Sequence, residues 1–442
     1  INLDPSITYQ TITGWEAESQ SGQLECPGFD LYKDRVFDLV VSDLGINRLR
    51  LGINSGSENP VDWFGMFIRG EISREEYKSH WHEIINDNVD PNIINPAGFQ
   101  FTKLEDTIEK VVIPIRTRLH LIGKQLYLNM NYTDFGSSPF EHKSNPLEYA
   151  EFVLATYQHM QGKYGFVPDA WEVILEPDGP FSAWSPEQIG QGIKAAGDLL
   201  KYNGFSPKFI APSTKSMARA IPYFEKIVAI PGALNYISEL SYHRYADVSV
   251  GSMQKIAELS QKFDVNTSML EFIGATHETL HEDLKVGRNS SWQQYTIAFC
   301  TDDNGAQYYW IDNRDPTKPV IHPGWRTAFL RQYFKYIQSG AVRIEAISSD
   351  AGFDPLGFIN PDGGYVVVIK SQRAGDISIT GLPPGDYEAS YTTDIGNHVD
   401  PPVKIQSQGQ IFRAKIPSSG VISIYLVEAL PASSINTKPS CP

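Results

Sequence analysis

Glu176 closes the strand end Ile174-Leu175 and is followed by Pro177 and Asp178. Glu271 closes Thr267–Leu270 and is followed by Phe272. A carboxylate at the end of an otherwise apolar strand has left the packed stretch and faces the mouth of the sheet. The two lie three strand–helix units apart at about 32 residues per unit, which sets them across the mouth of a barrel from each other. Two carboxyl groups facing at about 5 Å suit double displacement at an acetal carbon. One attacks the carbon, while the other protonates the leaving oxygen and later activates water. For either glutamate alone, a helix N-cap or a salt bridge is the competing reading.

Eight short apolar or β-branched runs can position such a pair. They lie near Thr11–Trp15, Asn47–Ile53, Gln125–Asn131, Trp171–Glu176, Lys208–Pro212, Ile237–His243, Thr267–Phe272 and Gln307–Ile311. The segments between them read as helices. Asn145-Pro146 opens one that ends near Gly165, an N-cap followed by proline at the first helical position. Ser185-Pro186-Glu187-Gln188 is a capping box, after which Ile189, Ile193, Ala196 and Leu200 share a face. Alternating β and α segments predict a parallel sheet, and eight of them a closed (β/α)₈ barrel. An open doubly wound sheet is disfavoured because no glycine-rich phosphate turn follows the first strand.

The expected domains are a catalytic barrel over 11–338, with a long insertion at 54–101, and a β-sandwich made from 1–10 and 339–430. In the C-terminal part the runs are short and β-rich, separated by turns such as Pro383-Pro384-Gly385-Asp386. Residues 431–442, rich in Pro, Ser and Thr, read as a loose tail. The insertion carries Trp63, Phe64, Phe67 and Trp81 among polar residues. It reads either as a wall of the site, since long βα loops build barrel sites, or as a subdomain with its own small core.

The 442 residues carry 37 basic and 52 acidic side chains, for a net charge of −15. Such a balance argues against a nucleic-acid partner, which needs a basic face. No apolar run is long enough to span a bilayer. Three cysteines, Cys26, Cys300 and Cys441, allow at most one disulfide, and no cysteine–histidine cluster suggests a structural zinc. The absence of an initial Met and of a signal peptide, with sequons at Asn131, Asn266 and Asn289, reads as a mature secreted protein.

At this point the chain resembles the clan A glycoside hydrolases and, among them, glycoside hydrolase family 30. That resemblance implies a (β/α)₈ barrel joined to a β-sandwich. Gln10-Thr11-Ile12-Thr13-Gly14-Trp15 is similar to the family's opening strand, and Asn47-Arg48-Leu49-Arg50-Leu51 to its second. By resemblance Glu176 is the acid/base, Glu271 the nucleophile and Arg50 the arginine beside it. Ser241-Tyr242-His243-Arg244-Tyr245 resembles the sixth-strand His/Tyr stretch, and Tyr309-Trp310 the eighth-strand tryptophan. One position departs. The clan usually has Asn before the acid/base, bonded to the sugar 2-hydroxyl, and Leu175 stands there instead. Either another residue supplies that bond or the substrate differs at C2.

The expected site is therefore Glu176 and Glu271 as catalytic residues, with Arg50, Trp15, Asp134, His243, Tyr245 and Trp310 binding substrate. Tyr242 competes with Tyr245 for the nucleophile, because only one faces inward on an alternating strand. Glu16 or Glu18 can bind a sugar hydroxyl, and Asp312 sits at a comparable loop position. No metal or cofactor is expected. His80-Trp81-His82 looks like a metal pair only superficially, because residues i and i+2 of a helix point apart. The expected protein is a secreted, monomeric retaining β-glycosidase acting on carbohydrate. A carbohydrate-binding barrel that has lost catalysis and a metal-dependent non-glycosidic hydrolase are the alternatives.

Overall fold

The computed structural model describes residues 1–136 and 138–429, so the expected tail lies outside the described residues. Strand β1 (Asn2–Thr11) opens the chain. It is followed by β2 (Gly14–Glu18), β3 (Arg48–Asn54), β4 (Tyr127–Thr133), β5 (Ala170–Glu172) and β6 (Phe209–Ser216). Next come β7 (Ile237–Ala246), β8 (Asn266–Glu271) and β9 (Ser291–Phe299). Strands β2 to β9 pair in parallel in that order, and β9 closes on both β8 and β2. The result is a closed eight-stranded parallel barrel with helices between the strands.

The eighth barrel strand is therefore not Gln307–Ile311. That segment is β10 (Gln307–Asp312), which adds to β9 in parallel from outside the closed ring. Strand β11 (Val320–Pro323) then pairs antiparallel with β10. The true closing strand begins Ser291-Trp292-Gln293-Gln294, and two adjacent glutamines hide it from an apolar pattern. Both are buried. Gln294 Nε2 donates to the carbonyls of Gly305 and Gln307 at 2.6 and 3.2 Å, and Gln293 Nε2 to that of Leu270. These bonds offset the cost of burying the donor half of each amide.

The helices form where the caps said they would. Pro146–Tyr164 starts after Asn145 and ends at Gly165, whose φ of 73° suits a residue without Cβ. Pro186–Tyr202 is opened by the Ser185/Gln188 capping box, and Ile189, Ile193, Ala196 and Leu200 are buried. Sequon residues Asn131 and Asn289 are also buried, at 2% and 0% exposure, so neither presents its amide to a glycosylating enzyme.

The chain divides into two compact units, Thr13–Leu330 and Ile1–Ile12 with Arg331 onward. In the second unit β1 pairs antiparallel with β12 (Val342–Ile347). The remaining strands are β13 (Phe353–Ile359), β14 (Tyr365–Ser371), β15 (Gly375–Ile379), β16 (Gly385–Thr393), β17 (Gly396–Val399), β18 (Val403–Ile405), β19 (Phe412–Ile416) and β20 (Gly420–Ala429). One large antiparallel sheet runs β1-β12-β13-β14-β20-β16-β17, with β18 also on β16, and β15 pairs with β19 in a two-stranded ribbon. Phe353, Ile377, Phe412 and Ile424 are buried in the shared core, as a β-sandwich requires.

The long insertion after β3 builds its own aromatic cluster. The Trp63 ring stacks on His80 at 3.6 Å, and Phe67 stacks on Tyr77 at 5.4 Å. The helix there is only Arg74–Ser79, so His80 and His82 follow it. His80 Nδ1 lies 2.6 Å from Glu83, and His82 Nδ1 lies 3.4 Å from Ser55 Oγ, so the two rings face different partners.

Candidate active site

Side chains alternate along each barrel strand, and the inward set is unusually polar. In the lower layer Arg48 bonds Glu16 at 2.7 Å and forks onto Glu239 at 2.8 and 3.1 Å. One layer toward the mouth, Arg50 forks onto both oxygens of Glu172, at 2.7 and 2.6 Å. Its third nitrogen bonds Glu271 Oε2 at 2.7 Å. Arg50 is 1% exposed, and a buried guanidinium is tolerable only because each of its faces meets a carboxylate. Burial opposes the charge of Arg50, but Glu172 and Glu271 more than offset it and raise its pKa well above the usual value.

Glu271 receives a second bond at its other oxygen. Tyr245 Oη donates to Oε1 at 2.9 Å and accepts from the Ile273 amide at 3.3 Å. On β7 the inward residues are Glu239, Ser241, His243 and Tyr245. Tyr242 points outward and bonds Asp283 and Asn289, which settles which tyrosine reaches Glu271.

Glu176 stands beyond the end of β5 with φ of 48°, a left-handed conformation that costs a non-glycine residue on the order of 1 kcal/mol. Its amide donates to the Ser213 carbonyl at 3.1 Å, and its own carbonyl accepts from Gly179 at 2.9 Å. His243 Nδ1 lies 3.0 Å from Glu176 Oε1. Burial pushes the Glu176 carboxyl up. The His243 hydrogen bond and charge, with Lys215 and Arg50 behind, outweigh this and leave it below its usual range. One oxygen each of Glu176 and Glu271 and a ring nitrogen of His243 lie within 4.8 Å of one another.

Of the expected residues, Arg50, His243 and Tyr245 thus converge on the glutamate pair. Trp15 does not. It alternates with the inward Glu16 and Glu18, faces out of the barrel and is 1% exposed, so it packs in the core. Trp310 lies on β10, where it stacks on His322 at 4.2 Å, in a pocket lined with Asp312 and Arg314 and by none of the residues around Glu176 and Glu271. Asp312 is engaged there by Arg314. Asp134 lies at the rim after β4 and accepts from Ser55 Oγ at 3.0 Å, while burial raises its pKa.

Three residues gain weight from the structure. Glu172 shares Arg50 with Glu271, and as an acidic residue inside the strand Trp171–Glu176 it could have been noticed. Tyr295, on the closing strand, feels Glu271, Glu18, Arg50 and Glu176, and its hydroxyl pKa is raised chiefly by burial. Missing it followed from misplacing that strand. Glu18 faces a pocket with Gly52, the insertion's Trp81 and Lys103 of the helix Thr102–Thr107, whereas Glu16 is fully buried against Arg48. Burial, partly countered by Arg50 and reinforced by Glu271, Glu172 and Glu16, pushes the Glu18 carboxyl up to about 8. Burial likewise lowers Lys103 to about 8.

Solved structures share this architecture from end to end. A GH30 endoxylanase from Clostridium papyrosolvens C71 superposes with a TM-score of 0.68 at 15% identity, covering 96% of this chain and 99% of that one. The catalytic domain of GH30 xylanase C from Talaromyces cellulolyticus gives 0.67 at 14%, covering 96% and 99%. An endo-β1,6-glucanase gives 0.67 at 16%, covering 96% and 93%. The fold is similar to that of these glycoside hydrolase family 30 structures. No family model and no curated protein matches the sequence. In this barrel Glu176 and Glu271 occupy the C-terminal mouth, the face at which barrel enzymes carry their chemistry.

Proposed function

We propose that the chain is a secreted retaining β-glycoside hydrolase that cleaves β-linked poly- or oligosaccharides, or a glycoconjugate, through a covalent glycosyl-enzyme. The observation that carries this reading is the approach of Glu176 and Glu271 to within 4.8 Å. That is the short separation of retaining sites and leaves no room for the water an inverting enzyme places between its carboxylates. Glu271, aligned by Arg50 and Tyr245, attacks the anomeric carbon as the glycosidic C–O bond breaks. Glu176 passes its proton to the departing oxygen. Glu176 then takes a proton from water, whose oxygen displaces Glu271 from the sugar.

His243 is a positioning residue for Glu176. An ionised carboxylate only accepts, so Nδ1 carries the hydrogen in that contact. Glu18, held toward its neutral form, is proposed to donate to a substrate hydroxyl, a bond that Leu175 cannot make. The disulfide between Cys26 and Cys300 supports an oxidising, extracellular destination.

Early-time NMR of the products from defined β-linked oligosaccharides tests the reading. Release of the β-anomer before mutarotation is expected. First appearance of the α-anomer would overturn the retaining mechanism. Glycan binding without any bond cleavage across the panel would favour the carbohydrate-binding alternative that Leu175 suggests.

A further inference from the structure

A second carboxylate cluster lies away from the glutamate pair. The helix Pro146–Tyr164 turns Glu148 and Glu151, three residues apart and so on one face, toward Asp87 of the insertion. One oxygen from each of the three lies within 4.8 Å of the others. Glu151 is 2% exposed and Glu148 9%, which is far from the solvated state acidic side chains prefer.

The hydrogen-bonding of the cluster is incomplete in a particular way. Glu151 Oε1, Glu148 Oε2 and Asp87 Oδ1 are buried and have no hydrogen-bond partner. The other Asp87 oxygen is satisfied, accepting from the Asn95 amide at 2.5 Å and from Asn88 Nδ2 at 2.9 Å. Among the described residues none of the three carboxylates forms an ion pair with a lysine, arginine or histidine. His142 is held by Glu58 at 2.7 Å, and Glu58 in turn accepts from the Asp87 amide at 3.2 Å. A buried carboxylate oxygen without a donor costs several kcal/mol, and three converging ones ask for a cation.

We propose that Asp87, Glu148 and Glu151 bind a calcium ion that clamps the insertion to the helix Pro146–Tyr164. Oxygens on opposite sides of a calcium ion, each at 2.3–2.6 Å, are separated by roughly 5 Å, which accommodates this cluster. The donor set is all carboxylate, as hard cations require, and it lacks the nitrogen and sulfur that zinc or copper would select. The site is independent of the proposed glycosidase activity and is read through binding and stability.

The full chain, stripped with chelator, is titrated with calcium chloride by calorimetry and melted with and without it. Saturable binding of one ion in the millimolar range or tighter is expected, with a rise in melting temperature. Glu151→Gln and Asp87→Asn each weaken binding by at least about 10-fold. Both variants are near-isosteric, and their folding is checked by melting in chelator. An unchanged parent melting temperature with flat titration heats overturns the proposal. So does a Glu151→Gln variant that binds calcium like the parent, and so does an equal response to magnesium.

Discussion

His243 Nδ1 sits 3.0 Å from Glu176 Oε1, and His243 is itself fully buried on the inward face of β7. A donor fixed against the ionised form lowers the carboxyl's pKa, the direction found for Glu176. A general acid must enter the cycle protonated, so kcat/KM falls as pH rises through the pKa of Glu176 in the free enzyme. The alkaline limb therefore lies on the acidic side of an ordinary glutamate's. Replacing His243 with Phe removes the donor, raises that pKa and moves the limb to higher pH. A pH–rate profile checks it, and a limb that stays put or moves down would contradict the assignment.

Glu271→Gln should remove the covalent step while leaving the melting temperature close to the parent's. Glu176→Ala should cut kcat by about 10²–10⁴ on substrates with poor leaving groups. Azide should restore turnover in the Glu176 variant and give a β-glycosyl azide. An α-azide would exchange the two roles.

Arg50 binds Glu271 with one nitrogen and Glu172 with two, all buried. Arg50→Met leaves two carboxylates without their partner inside the barrel and should cost about 3–5 kcal/mol of stability. Arg50→Lys keeps the charge but cannot fork, so it should fold better than the methionine variant and still lose most activity. Denaturant melts and initial rates on one substrate separate the two effects.

For Glu18, a folded-state pKa of about 8 against an ordinary 4.5 makes its contribution to stability fully present below pH 4.5 and lost as pH rises toward 8. Glu18→Gln removes that loss. The variant's melting temperature should fall less steeply than the parent's between those limits. Parallel curves would show that Glu18 is already ionised in the folded protein.

The Cys26–Cys300 bridge spans 274 residues and ties the segment after β2 to the end of β9. Reduction, or Cys26→Ser with Cys300→Ser, should lower stability by about 2–5 kcal/mol. Melting with and without reductant measures it.

Much of this was legible along the chain. The facing of Glu176 and Glu271 could be read because each follows an apolar stretch and the spacing of barrel units places them across a mouth. The capping box at Ser185 and the cap at Gly165 located helices because caps are local chemistry. The closing strand was not legible, since the side-chain NH2 groups of Gln293 and Gln294 donate to backbone carbonyls that only folding brings to them. Nor was the fate of the tryptophans. Trp15 and Trp310 have the right residue type, but side-chain alternation turns one outward and the displaced β10 carries the other away.

The amino-acid order by itself determined the class of fold, the pair of carboxylates and the candidates around them, because periodicity and strand ends are properties of neighbours in sequence. Only the tertiary structure decided that Tyr245 rather than Tyr242 reaches Glu271, that Arg50 is shared with Glu172, and that Glu148 and Glu151 meet Asp87. Those choices depend on strand register and on burial. Both are set by contacts between residues far apart in the chain, and local pattern carries no record of them.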